Sequence, residues 1–288
     1  MLADLAALPL SVHMGLAFVF GLLFGSFLNV VIFRYPNLLK YQWSAQSHEW
    51  LHKTEYAEPK PAGMNTPASH CYSCNTPLKP WHNIPVLSFL WLRGKCAYCK
   101  ATISLRYPLI ELLSAVLSAC VVYRFGWSIE AGFGLILTWV LLALSGIDID
   151  HQLLPDDIVL PVLWLGLGLS LVPVFATPTD AIMGAIAGYM AFWLVFQIFK
   201  RLTGKEGMGH GDFKLLALFG AWFGWQYLPQ IILMSTLVGS LLGVLLILFK
   251  VNTRDKTIPF GPYIALGGWI AMLWGEKINT LYLNYAGL

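Results

Sequence analysis

The chain has 288 residues, of which 57% are hydrophobic and 11% are charged, with a formal net charge of +3 and a mean hydropathy of +0.66. Roughly a quarter of the residues in a soluble domain are charged, so this composition excludes an ordinary soluble globular protein. The low net charge also argues against a nucleic-acid-binding protein. With this hydropathy, the chain is best divided into membrane spans of about 20 apolar residues each.

The first apolar run covers Leu10–Phe33 and contains no Asp, Glu, Lys or Arg. This length is sufficient to cross a bilayer with some tilt. A secretory signal peptide would carry a basic segment before its apolar core, whereas the only charged residue before Arg34 is Asp4. We therefore expect a retained first transmembrane helix, in which Asn29 needs a hydrogen-bond partner on another span.

The long polar stretch that follows, residues 34–107, is the one candidate soluble domain and contains two C-x2-C pairs, one on each side of residues 75–95. Two residues between cysteines let a tight turn direct both sulfurs at one ion, and two such turns complete a tetrahedral thiolate site with no open position. The pattern predicts a structural zinc ion bound by Cys71, Cys74, Cys96 and Cys99. Disulfides or unconnected thiols are the alternatives. The basic residues considered below place this stretch in the cytoplasm, which is reducing and therefore argues against disulfides.

Seven further spans are predicted, several of them short or interrupted by Gly and Pro. They are about Pro108–Tyr123, Ala131–Ile147, Ile158–Phe175, Ala181–Phe199, Phe213–Trp225, Leu228–Phe249 and Gly261–Trp274.

The basic residues predict the orientation of these eight spans. One set of loops contains 16 of the 18 Lys and Arg residues, and only Arg124 and Lys277 fall on the other side. Because basic loops remain in the cytoplasm, both termini are expected outside and the polar stretch inside the cell. The same cations could also bind anionic lipid headgroups. The basic set is Arg34, Lys40, Lys53, Lys60, Lys79, Arg93, Lys95, Lys100, Arg106, Lys200, Arg201, Lys205, Lys214, Lys250, Arg254 and Lys256.

Carboxylates in or beside spans are costly and are functional candidates by default. Two aspartates close together at a membrane edge can share one proton, so that one carboxylate activates water while the other protonates the leaving group. The same residues could instead mark helix ends, form an ion path in a transporter or channel with a regulatory zinc domain, or belong to a scaffold without chemistry. The candidates are Glu111, Asp148, Asp150, Asp156, Asp157 and Asp212.

Six segments in order along nearly the whole chain resemble the bacterial type IV prepilin peptidases, which are membrane aspartyl proteases with a G-x-G-D motif. The matching segments are residues 25–32 with Arg34 and Pro36, the cysteine quartet, residues 106–111, Asp148-Ile149-Asp150 with residues 153–156, Gly209-His210-Gly211-Asp212, and Phe260-Gly261-Pro262-Tyr263.

The resemblance implies that Asp148 and Asp212 are the catalytic pair. Asp150 is the close rival of Asp148, and because two residues along a helix differ by about 200° in direction, at most one of them should face Asp212. Asp156 and Asp157 are expected to be structural or to shape the mouth of the site.

The resemblance further implies an endopeptidase that removes the leader of type IV prepilins and of type II secretion pseudopilins after a glycine. It also implies N-methylation of the new N-terminus with S-adenosylmethionine, to which Gly94 and Lys95 are expected to contribute. The expected protein is an all-α polytopic protein of the bacterial inner membrane, with its zinc domain and active site facing the cytoplasm. Its divisions are residues 1–33 for the first transmembrane helix, 34–107 for the zinc domain and 108–288 for the protease helix bundle.

Overall fold

A computed structural model describes residues 8–53, 56–249 and 258–286 of the chain. The predicted loop cations Lys250, Arg254 and Lys256, together with Asp4, lie outside the described residues. The chain divides into two compact units, residues 1–127 and residues 128–288.

The described part of the chain is helical, without strands beyond two isolated bridges. The α-helices in chain order are α1 (Leu10–His52), α2 (Leu87–Trp91), α3 (Arg106–Phe125), α4 (Ile129–His151), α5 (Asp156–Ser170), α6 (Pro178–Thr203), α7 (His210–Phe223), α8 (Leu228–Leu248) and α9 (Gly261–Ala286), with 3-10 turns at Pro80–Asn83 and Trp225–Tyr227.

Each of these α-helices except the short α2 overlaps one of the eight predicted spans, although several of them begin or end at other residues. Five described segments are long and apolar enough to cross a membrane: α1, α3, α4, α6 and Trp225–Leu245. The protein is therefore a multi-pass membrane protein by length and composition.

In the first unit, α1 packs along α3 through small residues. A Cβ atom added at Gly21 would lie 2.6 Å from Cα of Ala115, and one added at Gly25 would lie 2.6 Å from Cα of Glu111. Asn29 donates to the carbonyl of Tyr107 at 3.1 Å, which confirms the predicted hydrogen bond to another span.

Helix α1 is longer than its predicted apolar part, because it continues beyond Phe33 as far as His52. Arg34 lies at this transition with 7% of its surface exposed. Its guanidinium donates to the carbonyls of Gly63 at 3.0 Å and Pro67 at 2.8 Å, so the charge is satisfied by the polar stretch that folds back over the helix.

In the second unit, α7 is the central helix, and from Leu215 to Phe223 every residue is buried. A helix that is apolar on all sides needs neighbours on all sides. Helix α6 approaches it at Gly184 and Gly220, where an added Cβ on either glycine would overlap the backbone of the other. Helix α5 is joined to it by the Trp222 indole, which donates to the Val162 carbonyl at 2.8 Å.

The remaining helices of the second unit complete this packing. Helix α9 contacts α7 where Gly268 lies against Phe219, and it contacts α4 where the Trp269 indole donates to Thr138 Oγ1 at 3.0 Å. The bundle therefore brings the last turn of α4 and the first turns of α7 and α9 together.

Candidate active site and metal centre

Asp148 lies in the last turn of α4 and is 6% exposed. Its Oδ2 accepts a hydrogen bond of 2.9 Å from the backbone N–H of Gly261, the first residue of α9. The first N–H groups of a helix have no partner inside that helix, so the start of α9 is suited to hold a carboxylate.

Asp212 is the third residue of α7 and is 7% exposed. The backbone amide of Gly209, which caps α7, interacts with its carboxylate. An acidic side chain at this position commonly reaches back to the capping amide, and that contact fixes the direction of the carboxylate.

The two carboxylates interact with each other through space, because the charge of Asp148 acts on Asp212. Leu154 lies against the glycines beside both of them. A Cβ added at Gly211 would be 2.8 Å from Leu154 Cβ, and one added at Gly261 would be 3.2 Å from Leu154 Cδ2. The absence of side chains at these two positions lets three chain segments converge on the pair.

The other acidic candidates of this unit are outside the pair. Asp150 is exposed, in line with the expectation that residues two apart on the helix point in different directions. Asp156 is also exposed, and both of its carboxylate oxygens accept from Lys214 Nζ at 2.7 Å, which joins the starts of α5 and α7.

Two buried aspartates in electrostatic contact can perform general acid–base chemistry on a bound water molecule. In such an arrangement two adjacent negative charges are costly, so a pair of this kind can hold one proton between its two carboxyl groups. The ionised partner can then take a proton from water while the protonated partner donates a hydrogen bond to a developing oxyanion.

The polar stretch of the first unit contains two turns of the same construction. In the first, Cys71 N–H donates to Thr76 O at 3.0 Å and Asn75 N–H donates to Cys71 O at 2.8 Å. In the second, Cys96 N–H donates to Ala101 O at 2.8 Å and Lys100 N–H donates to Cys96 O at 3.1 Å. Asn75 and Lys100 both have positive φ angles, 54° and 61°.

These turns bring the four cysteine sulfurs within 4.8 Å of one another. All five cysteines of the chain are free thiols, so the disulfide alternative is not seen. Backbone N–H groups of Cys74 and Ser73 lower the pKa of Cys71, and those of Cys99 and Tyr98 lower the pKa of Cys96. The pKa of Cys74 is lowered as well, whereas the pKa of Cys99 is raised to about 11. Four converging sulfurs are a donor set that can hold one metal ion and suits zinc.

Gly94 and Lys95, the residues predicted to contribute to methyl transfer, lie at the entry of the second turn. Gly94 has a φ of 68° and packs against Phe89, whose ring a Cβ would approach to 3.0 Å. Its carbonyl accepts from Ile103 N–H at 2.8 Å, and Lys95 forms a bridge with Thr102. Both residues therefore shape the turn.

The contribution of Gly261 to the site is not evident from the sequence. Its segment, Phe260-Gly261-Pro262-Tyr263, stands out there only as part of a motif, because a backbone N–H leaves no signature in residue types. The Lys214–Asp156 pair is likewise not predicted, because 58 residues separate its members. In the sequence, each looks like an ordinary charged residue at the end of a membrane span.

Family models match both parts of the chain. A model described as the bacterial peptidase A24 N-terminal domain matches residues 19–125, and one described as the type IV leader peptidase family matches residues 135–244. No solved structure matches the chain.

Curated relatives match over nearly the full length. A prepilin leader peptidase/N-methyltransferase of Stutzerimonas stutzeri is 52% identical over 94% of this chain and 94% of its own. The protein of the same name from Pseudomonas aeruginosa is 53% identical over 93% and 92%, and that from Legionella pneumophila is 42% identical over 93% and 93%.

Proposed function

Because this chain belongs to the type IV leader peptidase family, we propose that it cleaves prepilins as a membrane aspartyl endopeptidase with Asp148 and Asp212 as its catalytic pair. The observation that carries the proposal is the placement of the two carboxylates, each less than a tenth exposed, on chain segments that converge on Leu154 through Gly211 and Gly261. The exposure of Asp150 supports Asp148 as the first member.

In the proposed reaction, the ionised carboxylate removes a proton from water as the water oxygen attacks the carbonyl carbon of the scissile peptide bond. The protonated carboxyl donates a hydrogen bond to the resulting oxyanion. As the carbonyl re-forms, the C–N bond breaks and the departing amine takes up a proton from the pair. The Gly261 N–H keeps the Asp148 carboxylate oriented throughout.

The substrates proposed are type IV prepilins and type II secretion pseudopilins, cut after a glycine. The N-methyltransferase in the relatives' names supports a second activity, methylation of the new N-terminal amine. S-adenosylmethionine is the methyl donor proposed.

We further propose that Cys71, Cys74, Cys96 and Cys99 bind one structural zinc ion. The support is the pair of equivalent turns and the convergence of four sulfurs. A zinc ion there would crosslink two turns of a polar stretch that contains few apolar residues to form its own core.

The proposed topology has eight transmembrane helices in the bacterial inner membrane, with the zinc domain and the active site on the cytoplasmic side. The domain division proposed is residues 1–33, 34–107 and 108–288. The basic loop residues support the orientation. Five described segments are long and apolar enough to cross a membrane, and the proposed topology adds α5, α7 and α9 as the remaining three spans.

The test is mass spectrometry of a purified prepilin incubated in detergent with the protein and S-adenosylmethionine. The wild-type protein should remove a leader-sized mass and add one methyl group. Asp148→Asn and Asp212→Asn should each abolish cleavage, whereas the neighbouring exposed Asp150→Asn should retain at least half of the rate.

Cleavage by either of the first two variants, with the protein folded and monodisperse, would remove that residue from the catalytic pair. No mass change with wild-type protein would contradict the endopeptidase and favour the transporter or channel alternative. Loss of activity in Asp150→Asn alone would exchange the roles of Asp148 and Asp150.

A further inference from the structure

The first unit contains a cavity of about 360 Å³ between the two cysteine turns, the middle of α1 and the start of α3. Cavities that bind small molecules typically measure roughly 300 to 1,000 Å³. The aspartate pair belongs to the other unit.

Buried polar side chains of opposite charge line this cavity. Asn29 and Arg34 are each 7% exposed and Glu111 is 8% exposed. Arg34 donates to two backbone carbonyls, and Glu111 accepts from the backbone N–H of Val86 at 2.8 Å. A guanidinium has five N–H groups and a carboxylate about four acceptor positions, so both retain capacity for a ligand.

Aromatic side chains and one unsatisfied nitrogen complete the lining. Phe89, Tyr107 and His82 face the cavity, and His82 Nδ1 is buried without a hydrogen-bond partner. Buried polar atoms normally have partners, so an orphaned nitrogen beside a cavity is the feature expected of a ligand-binding position. Rings of this kind provide stacking surfaces for a planar base.

We propose that this cavity binds S-adenosylmethionine, the methyl donor, an inference that rests on the N-methyltransferase activity proposed above. The ligand combines a carboxylate, two cationic centres and an adenine base. Arg34 matches the carboxylate, Glu111 matches the cationic part, and the aromatic residues match the base. The mixed charges of the cavity select a zwitterionic ligand over a simple anion or cation.

The methyl transfer that this site would serve is balanced without another reactant. The lone pair of the substrate amine forms the new N–C bond as the S–C bond of the donor breaks, and the sulfur keeps the bonding electrons. The methylated ammonium then loses one proton to water. The neutral thioether product has lost the positive sulfonium charge that Glu111 would favour, which assists its release.

The location also gives Gly94 a physical role. Gly94 packs against Phe89, and Phe89 lines the cavity. A side chain at Gly94 would press this ring towards the ligand space. Gly94 is therefore a positioning residue of the cavity wall.

The experiment measures equilibrium binding of S-adenosylmethionine to the purified, zinc-loaded full chain by titration calorimetry, with no prepilin present. Wild-type protein should bind one equivalent. Glu111→Gln keeps an oxygen for the Val86 N–H while removing the charge, and it should raise Kd at least tenfold. Ser88→Leu, on the lining of the cavity, should abolish binding by occupying its space.

Two matched variants control for charge and for added volume. Glu276→Gln removes an exposed carboxylate, and Ser47→Leu adds the same side chain on an exposed position of α1, so both should bind with unchanged Kd. Zinc content and prepilin cleavage, measured on every variant, identify any that has failed to fold. His82→Phe, which keeps a ring and removes the unsatisfied nitrogen, provides a second independent variant and should weaken binding.

The outcomes separate the two proposals. If wild-type protein methylates a prepilin while folded Glu111→Gln, His82→Phe and Ser88→Leu all bind the donor with unchanged Kd, the cavity is not its site. Absence of saturable binding to a wild-type protein that methylates would also overturn the inference. If the wild-type protein transfers no methyl group at all, the proposed methyltransferase function fails instead.

Discussion

The backbone N–H of Gly261 donates to Oδ2 of Asp148 across 113 residues of sequence. The start of α9 is thereby fixed to the end of α4, and it is fixed through a carboxylate that also interacts with Asp212. The orientation of one member of the pair therefore depends on a helix that contributes no side chain to it.

Substitution Gly261→Ala tests this dependence. The added Cβ would lie 2.7 Å from Asp148 Oδ2, so the carboxylate or the helix must move. We expect kcat for prepilin cleavage to fall at least tenfold, since a misplacement of about 1 Å in a catalytic group can cost on the order of a hundredfold in rate. Gly168→Ala, where a Cβ meets open space, should keep the wild-type rate. Equal rates for both variants would show that the Gly261 contact is dispensable.

Removal of one cysteine should release the metal. Cys71→Ser and Cys96→Ser each take one sulfur from a different turn, so both are expected to lose zinc and to expose residues 56–105 to protease. Elemental analysis of wild-type protein should give about one zinc per chain. Cys120→Ser, in a helix of the same unit, serves as the control and should retain the zinc. A wild-type protein free of zinc and other metals would contradict this prediction.

The approach of α6 to α7 should not tolerate a methyl group. In Gly184→Ala the new Cβ would overlap the Gly220 carbonyl, and overpacking of this kind typically costs about 1–3 kcal/mol, which corresponds to a few degrees in Tm. Gly132→Ala, on an open face of α4, should be neutral or stabilising by up to about 1 kcal/mol. Thermal unfolding in detergent compares the two, and similar melting temperatures would show that the helices can separate without cost.

The Lys214–Asp156 ion pair should contribute modestly and in a salt-dependent way. Its side chains are 28% and 51% exposed, and exposed pairs are worth about 0.2–1 kcal/mol. A double-mutant cycle with Lys214→Met and Asp156→Asn should give a coupling energy in this range at low salt. The more exposed Lys200–Glu206 pair, at 47% and 65%, provides the comparison and should couple less. A coupling energy well above the range of exposed pairs would indicate that the Lys214–Asp156 pair is shielded from water in the membrane.

The positions of most helices can be predicted from the sequence, because each helix corresponds to a local run of apolar residues that ends at Gly, Pro or charged residues. The spans predicted at Pro108–Tyr123 and Ala131–Ile147 each lie inside an observed helix, α3 and α4, that extends slightly further at either end. The sequence does not predict the extension of α1 to His52. Hydropathy shows where the apolar part of a helix ends, but it does not show how far the helix continues into polar sequence.

The site was readable in part for the same reason. Residue types and spacing identify the four cysteines, whereas Asp212 is singled out among six candidate carboxylates by the resemblance to the G-x-G-D family. The amide of Gly261 and the contact of Leu154 with Gly211 depend on segments brought together by packing, which periodicity cannot report. The cavity in the first unit is likewise a product of packing, assembled from parts of the chain as distant in sequence as Ser26 and Glu111.

Helices α5 and α7 have 15 and 14 residues, which corresponds to about 22 Å and 21 Å along their axes. A hydrocarbon core of about 30 Å is thicker than either helix, and a short span thins the bilayer around it. Both helices begin beside the aspartate pair, at Asp156 and His210. If both helices span the membrane as proposed, thinning of the bilayer around them would bring the water interface closer to the two carboxylates, which is where a hydrolytic reaction needs its water.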